Sequence, residues 1–101
     1  MTEDAASAFL AKIHSLVSDY HRTSAPQASL SGAIRHMWAE EGARYRERGG
    51  LDHGRIREFA VRQRADIDQS WPVEKPPSVQ MLRGALEEVV ELCAKAQPAG
   101  N

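Results

Sequence analysis

Residues 78–97, SVQMLRGALEEVVELCAKAQ, decide the fold. Val79, Leu82, Leu86, Val89, Cys93 and Ala96 recur at intervals of three, four, three, four and three, an unbroken heptad seam that a helix alone can align. Met81, Ala85, Val90 and Leu92 widen the apolar arc to roughly half the circumference, more than a helix resting on a surface needs. Such a helix is either central in a bundle or shared with a second copy of the chain. Ser78 is placed to cap its start.

Working outward, the same periodicity returns three more times. Ala6, Phe9, Ile13, Leu16 and Tyr20, with Leu10 and Val17 beside them, draw one stripe down a helix over 3–22. Thr2 is its expected cap, and Glu3 and Asp4 place negative charge at the positive end of its dipole. Ser24-Ala25-Pro26-Gln27 fits a capping box for a second helix over 25–48. Leu30, Ile34, Met37, Trp38 and Tyr45 would form its apolar side, and Gly49-Gly50 its stop. Asp52 caps a third helix over 53–69, with Leu51 and Ile56 spaced as a hydrophobic staple and Ile56, Phe59, Ala60 and Ile67 facing inward. The proline-rich stretch 70–77 reads as an extended connector with Trp71 folded back onto the bundle. No strand or hairpin pattern intervenes. The expected architecture is all-α: a compact antiparallel bundle of about four helices in one domain, 1–97, followed by a frayed tail, 98–101. The short joints at 23–25 and 49–52 predict neighbouring antiparallel helices, whereas the longer 70–77 has the length to cross over.

The chain's 101 residues suit a single core, and 42% hydrophobic with 27% charged residues is ordinary globular composition. One cysteine excludes an intrachain disulfide. The opening MTEDAASAFL does not resemble a secretory signal, and no apolar run approaches spanning length, so the expected setting is cytoplasmic with no membrane partner. Ten arginines against three lysines, with abundant alanine, fit a high-GC bacterial composition. The net charge of −1 is uneven: residues 1–41 carry −2, 42–64 carry +4 and 65–101 carry −3.

That positive middle is the most distinctive chemical feature. Arg44, Arg46 and Arg48 crowd the end of the second helix. Arg55 and Arg62 line one border of the third helix's apolar face, and Arg57 and Arg64 line the other. They can contact phosphate or an acidic protein. Alternatively, their stems cover the edge of the core while their heads pair with the acids of the last helix.

Other constellations lead nowhere catalytic. His14 and His21 stand seven apart, about 10.5 Å along a helix and too far to share a metal, and His36 and His53 have no ligand partner nearby. Asp66 and Asp68 point to opposite sides. Glu91–Lys95 and Glu40–Arg44 are spaced as local ion pairs. Cys93 lies in the seam and reads as a small apolar core residue. No phosphate loop, HExxH, serine triad or di-iron pattern occurs, so no catalytic residue, metal or cofactor is assigned.

Trp38, Gly42 and Tyr45 match the W-x3-G-x2-Y spacing that opens a tetratricopeptide repeat, whereas Gly54 and Glu58 stand where that repeat has alanine and an aromatic. Trp71, Pro76-Pro77-Ser78, Leu82 and Ala85-Leu86 resemble the closing part of a phage-repressor-type helix-turn-helix. The preceding RQRADIDQS lacks its tight turn and recognition helix, and neither family is assigned.

Two functions follow as expectations. The first is a non-enzymatic interaction or assembly module, self-associating as a homodimer through Val79, Leu82, Leu86, Val89, Val90 and Cys93 with help from the first helix, or binding another protein. The second is a small nucleic-acid-binding regulator working through the seven middle arginines, which the near-neutral total charge disfavours. A small-ligand or metal-binding bundle is a third class, for which the sequence offers only unclustered histidines.

Overall fold

Helices form where the apolar stripes lie. The computed structural model describes residues 5–96, apart from the side chain of Arg48, and they make four α-helices and no strand: α1 (Ala5–Arg22), α2 (Gln27–Arg44), α3 (His53–Ser70) and α4 (Pro77–Ala96). The expected cap at Thr2, the charges of Glu3 and Asp4, and the tail 98–101 lie outside the described residues.

The helix ends show local chemistry overruling pattern in two places. Ser24 does not cap α2; it ends α1. Its φ of 57° is left-handed, Ser24 N–H donates to the His21 carbonyl, and Ala25 N–H donates to the Tyr20 carbonyl, the paired bonds of a Schellman ending. The residue before α2 is Pro26, with no side-chain cap. At the other end, α2 tightens into a 3-10 turn over Arg46–Arg48, so its regular part stops earlier than the predicted 48. Gly49 and Gly50, at φ 93° and 86°, then reverse the chain through conformations that cost a side-chain-bearing residue about 1 kcal/mol or more. Asp52 caps α3 as expected, accepting from the Arg55 N–H at 3.0 Å, and Leu51 and Ile56 share the core. α4 begins at Pro77, which puts Ser78 inside the first turn and proline where its missing donor matters least.

Packing departs from the order of the chain. α1 and α4 each touch all three other helices, whereas α2 and α3, though joined by a short link, do not pack along their lengths and touch near the joint, where His53 stacks on Trp38. The helices ring the core as α1, α2, α4, α3, with α1 and α4 across the short diagonal. A short joint therefore did not imply neighbouring helices: the two glycines and the capped Asp52 turn the chain away from α2. Directions follow from side-chain pairings. Phe9 meets Trp38 edge-on at 5.5 Å, so the start of α1 lies by the end of α2. Asp68 meets Arg83, so the end of α3 lies by the start of α4.

This arrangement accounts for the wide arc of α4. Ala85, Leu86, Val89 and Cys93 are completely buried, together with Phe9, Leu10 and Ile13 from α1, Leu30 and Ile34 from α2, and Ile56 and Ala60 from α3. Val79, Leu82 and Val90 stay half-buried at its margin. Trp71 does not fold back onto the bundle; it remains 42% exposed, and Val73 beside it is 90% exposed. Pro72, Pro76 and Pro77 follow it and restrict the path of the segment.

Leu86→Ala should cost about 3 kcal/mol in chemical denaturation, as expected for a cavity in a core enclosed on all sides. Leu82→Ala at the half-buried margin should cost about 1 kcal/mol. Equal losses at both positions would place α4 elsewhere than at the centre.

Candidate functional site

The arginines of the positive middle separate into three settings. Arg44 is held by Glu41 at 3.3 Å, and Arg62 by Glu58 at 3.3 Å, each within its own helix. Arg55 and Arg62 flank the half-buried Phe59, their guanidinium carbons 4.9 and 6.0 Å from its ring centre, a cation–π sandwich on the α3 surface. Arg46, Arg57 and Arg64 have no carboxylate within 4 Å among the described residues. The side chain of Arg48 lies outside what is described.

The acids of α4 are engaged elsewhere. Glu87 takes Arg83 of the same helix at 2.6 Å, and Glu88 lies 3.8 Å from Arg35 of α2. Among the described residues no ion pair joins Arg57, Arg62 or Arg64 of α3 to the last helix. The local pairs anticipated at Glu40–Arg44 and Glu91–Lys95 do not form either: Glu40 takes His36 at 3.4 Å, Arg44 takes Glu41, and no ion pair joins Glu91 to Lys95. An i,i+4 pair is worth only about 0.3–0.5 kcal/mol, so any better local partner displaces it.

Two polar features escaped the sequence reading. The first is a hub at the α3–α4 end, where Asp68 accepts from Arg83 through both oxygens (2.7 and 2.9 Å) and from Lys75 at 3.2 Å. Lys75 also donates to the Trp71 carbonyl at 3.0 Å, which ties the connector down. Hydrogen bonds from Arg83, helped by Lys75, hold the Asp68 carboxyl well below the usual carboxylate range. No sequence spacing signals this hub, because its members come from three segments. The second feature is Glu41, 4% exposed and the sole buried charge among the described residues, met by Lys12 of α1 at 2.9 Å. A signal for it existed: Leu30, Ile34, Met37 and Glu41 fall on one helical stripe, and a carboxylate there must find cations.

Of the six α4 residues expected at an interface, Leu86, Val89 and Cys93 sit in the chain's own core, leaving Val79, Leu82 and Val90 in reach of a partner. Burial pushes the Cys93 thiol up to about 11, the positive charge of Arg57 pulling weakly the other way, which leaves it a poor nucleophile.

The histidines serve different contacts. His14 Nε2 lies 2.7 Å from the Gln63 Oε1 and links α1 to α3, while His53 stacks on Trp38 with ring centres 5.4 Å apart. Among the described residues no group of three His, Cys, Asp or Glu side chains converges as a metal would require. None of their helices is long and apolar enough to cross a membrane.

Because α2 and α3 diverge from their joint, an open cleft of about 610 Å³ remains between them. It is lined by the stacked Trp38 and His53, by Ala39, Gly42 and Ala43 of α2, and by Arg46. No residue spacing signals it, since its walls come from two helices and a turn. No family model, curated protein or solved structure matches the chain.

The depressed Asp68 value sets a pH dependence. A carboxyl with a lowered folded pKa contributes stability that is complete above its ordinary value near 3.8 and is lost as pH falls below it. The stability gap between the wild type and Asp68→Asn should therefore stay constant from neutral pH to about 5 and close as the pH falls further. A gap that widens in acid would contradict the pairing.

Proposed function

We propose that this protein is a binding module that docks an acidic protein partner on the arginine face of α3. The observation that carries the reading is that Arg57 and Arg64, two turns apart on one helix, have no carboxylate within 4 Å among the described residues. An unpaired guanidinium is ready to form bidentate bonds to a carboxylate without first breaking an internal pair. The Phe59 ring between Arg55 and Arg62 lies on the opposite border of α3 and is not part of this surface. A protein partner is favoured over nucleic acid because the net charge is −1, and phosphate-dominated binding draws on a broad basic excess.

Self-association is the second reading, now carried by the margin of α4. Val79, Leu82 and Val90 are half-buried, and Val73 and Trp71 in the connector leading into α4 are exposed. Light scattering across a wide concentration range separates the readings: a dimer supports this one, and a monomer throughout removes it.

The arginine face is tested by quantitative affinity capture from native lysate, with nuclease, comparing the wild type with Arg57→Gln/Arg64→Gln of equal melting temperature. Loss of a nuclease-resistant acidic protein from the variant, by about tenfold or 1.4 kcal/mol, is expected. Identical captures, or contacts abolished by nuclease, would contradict the proposal.

A further inference from the structure

The cleft between α2 and α3 has a shape and a charge that the arginine face of α3 does not explain. Three small residues line it from α2: Ala39, Gly42 and Ala43, at i, i+3 and i+4 of that helix. Gly42 is the informative member. A Cβ built at this position would meet nothing within 4 Å, so no packing contact in the folded chain requires glycine there. Glycine in a helix interior costs roughly 0.5–1 kcal/mol relative to alanine, which here is not returned by any close approach within the chain. What the glycine does provide is room in the cleft. Part of its lining is aromatic, the near-parallel Trp38–His53 stack with 25° between the planes, itself braced by Phe9 against Trp38. Arg46 lines it too, a cation with no carboxylate within 4 Å among the described residues.

An open cleft lined by small residues, an aromatic pair and one cation with no carboxylate within 4 Å among the described residues is complementary to a flat ring carrying one anionic group. We infer that this cleft binds a small planar aromatic anion, its ring on Ala39, Gly42 and Ala43 beside His53 and its phosphate or carboxylate on Arg46. Ring and charge contribute through different residues: the ring gains from apolar burial and stacking, and the anion from a charge-assisted bond to the guanidinium. Neither half alone should suffice at an open site, where a single exposed ion pair adds little. The inference is independent of any partner on α3, since it uses none of Arg55, Arg57, Arg62 or Arg64.

Trp38 reports on the site directly once the other indole is removed by Trp71→Phe, in the exposed connector. Tryptophan emission of that protein is titrated with adenosine monophosphate, benzoate, adenosine and ribose 5-phosphate. A saturable change with the monophosphate, with benzoate, or with both is expected, the first two arms showing whether phosphate or carboxylate is preferred. Adenosine, which lacks the charge, and ribose 5-phosphate, which lacks the ring, should each bind at least about tenfold more weakly. Arg46→Gln, on the exposed turn, should weaken binding by about tenfold, and Gly42→Leu, which fills the cleft from a helical position with open space, should abolish it while the melting temperature holds or rises. No saturable response to either ring-bearing anion overturns the inference. So does undiminished binding in Arg46→Gln, a readout that stands even if Gly42→Leu fails to fold.

Discussion

The structure depends on one steric constraint: the apolar arc of α4 covers about half its circumference and must be enclosed from three directions at once. A single neighbouring helix covers a stripe. Enclosing Ala85, Leu86, Val89 and Cys93 completely takes α1 from one side and α2 and α3 from the flanks. That demand places α1 and α4 across the short diagonal and pushes α2 and α3 apart. Small residues share this core, since Ala6 of α1, Ala60 of α3 and Ala85 of α4 are all fully or nearly fully buried.

The polar chemistry follows from that geometry. With α4 at the centre, its acids reach only what lies along its own flanks, so Glu87 stays with Arg83 and Glu88 approaches Arg35. Arg57 comes near enough to act on the Cys93 thiol, but among the described residues no α4 carboxylate pairs with Arg57 or Arg64. The separation of α2 from α3 opens the corner cleft, and the left-handed pair Gly49-Gly50 keeps it open by turning the chain sharply before Asp52 starts α3. The unpaired arginines and the cleft thus share one origin, the diagonal packing of two other helices.

Much of the fold was legible because it is local. The stripes of α1, α3 and α4, the cap at Asp52 and the break at Gly49-Gly50 all follow from residue types at short spacing. The errors mark where local rules compete. Ser24-Ala25-Pro26-Gln27 carries a good start signal, yet the same serine completes a helix ending, and one residue cannot hold both the extended conformation of a cap and a φ of 57°. Trp71 was expected inside on hydrophobicity alone, but prolines at 72, 76 and 77 fix the path of its segment. The site was hardly legible at all. The seven arginines could be named, but which of them find carboxylates depends on which helices touch. That ring order is set by how much of each helix must be covered, not by the length of the links.

The central position of α4 is tested most directly by native-state hydrogen exchange, followed residue by residue at two widely separated protein concentrations. Amides from Ala85 to Cys93 should be the slowest in the chain, opening only with global unfolding, with protection unchanged on dilution. Faster exchange in α4 than in α3, or protection that falls on dilution, would mean that the apolar face of α4 is closed by another molecule and not by its own chain.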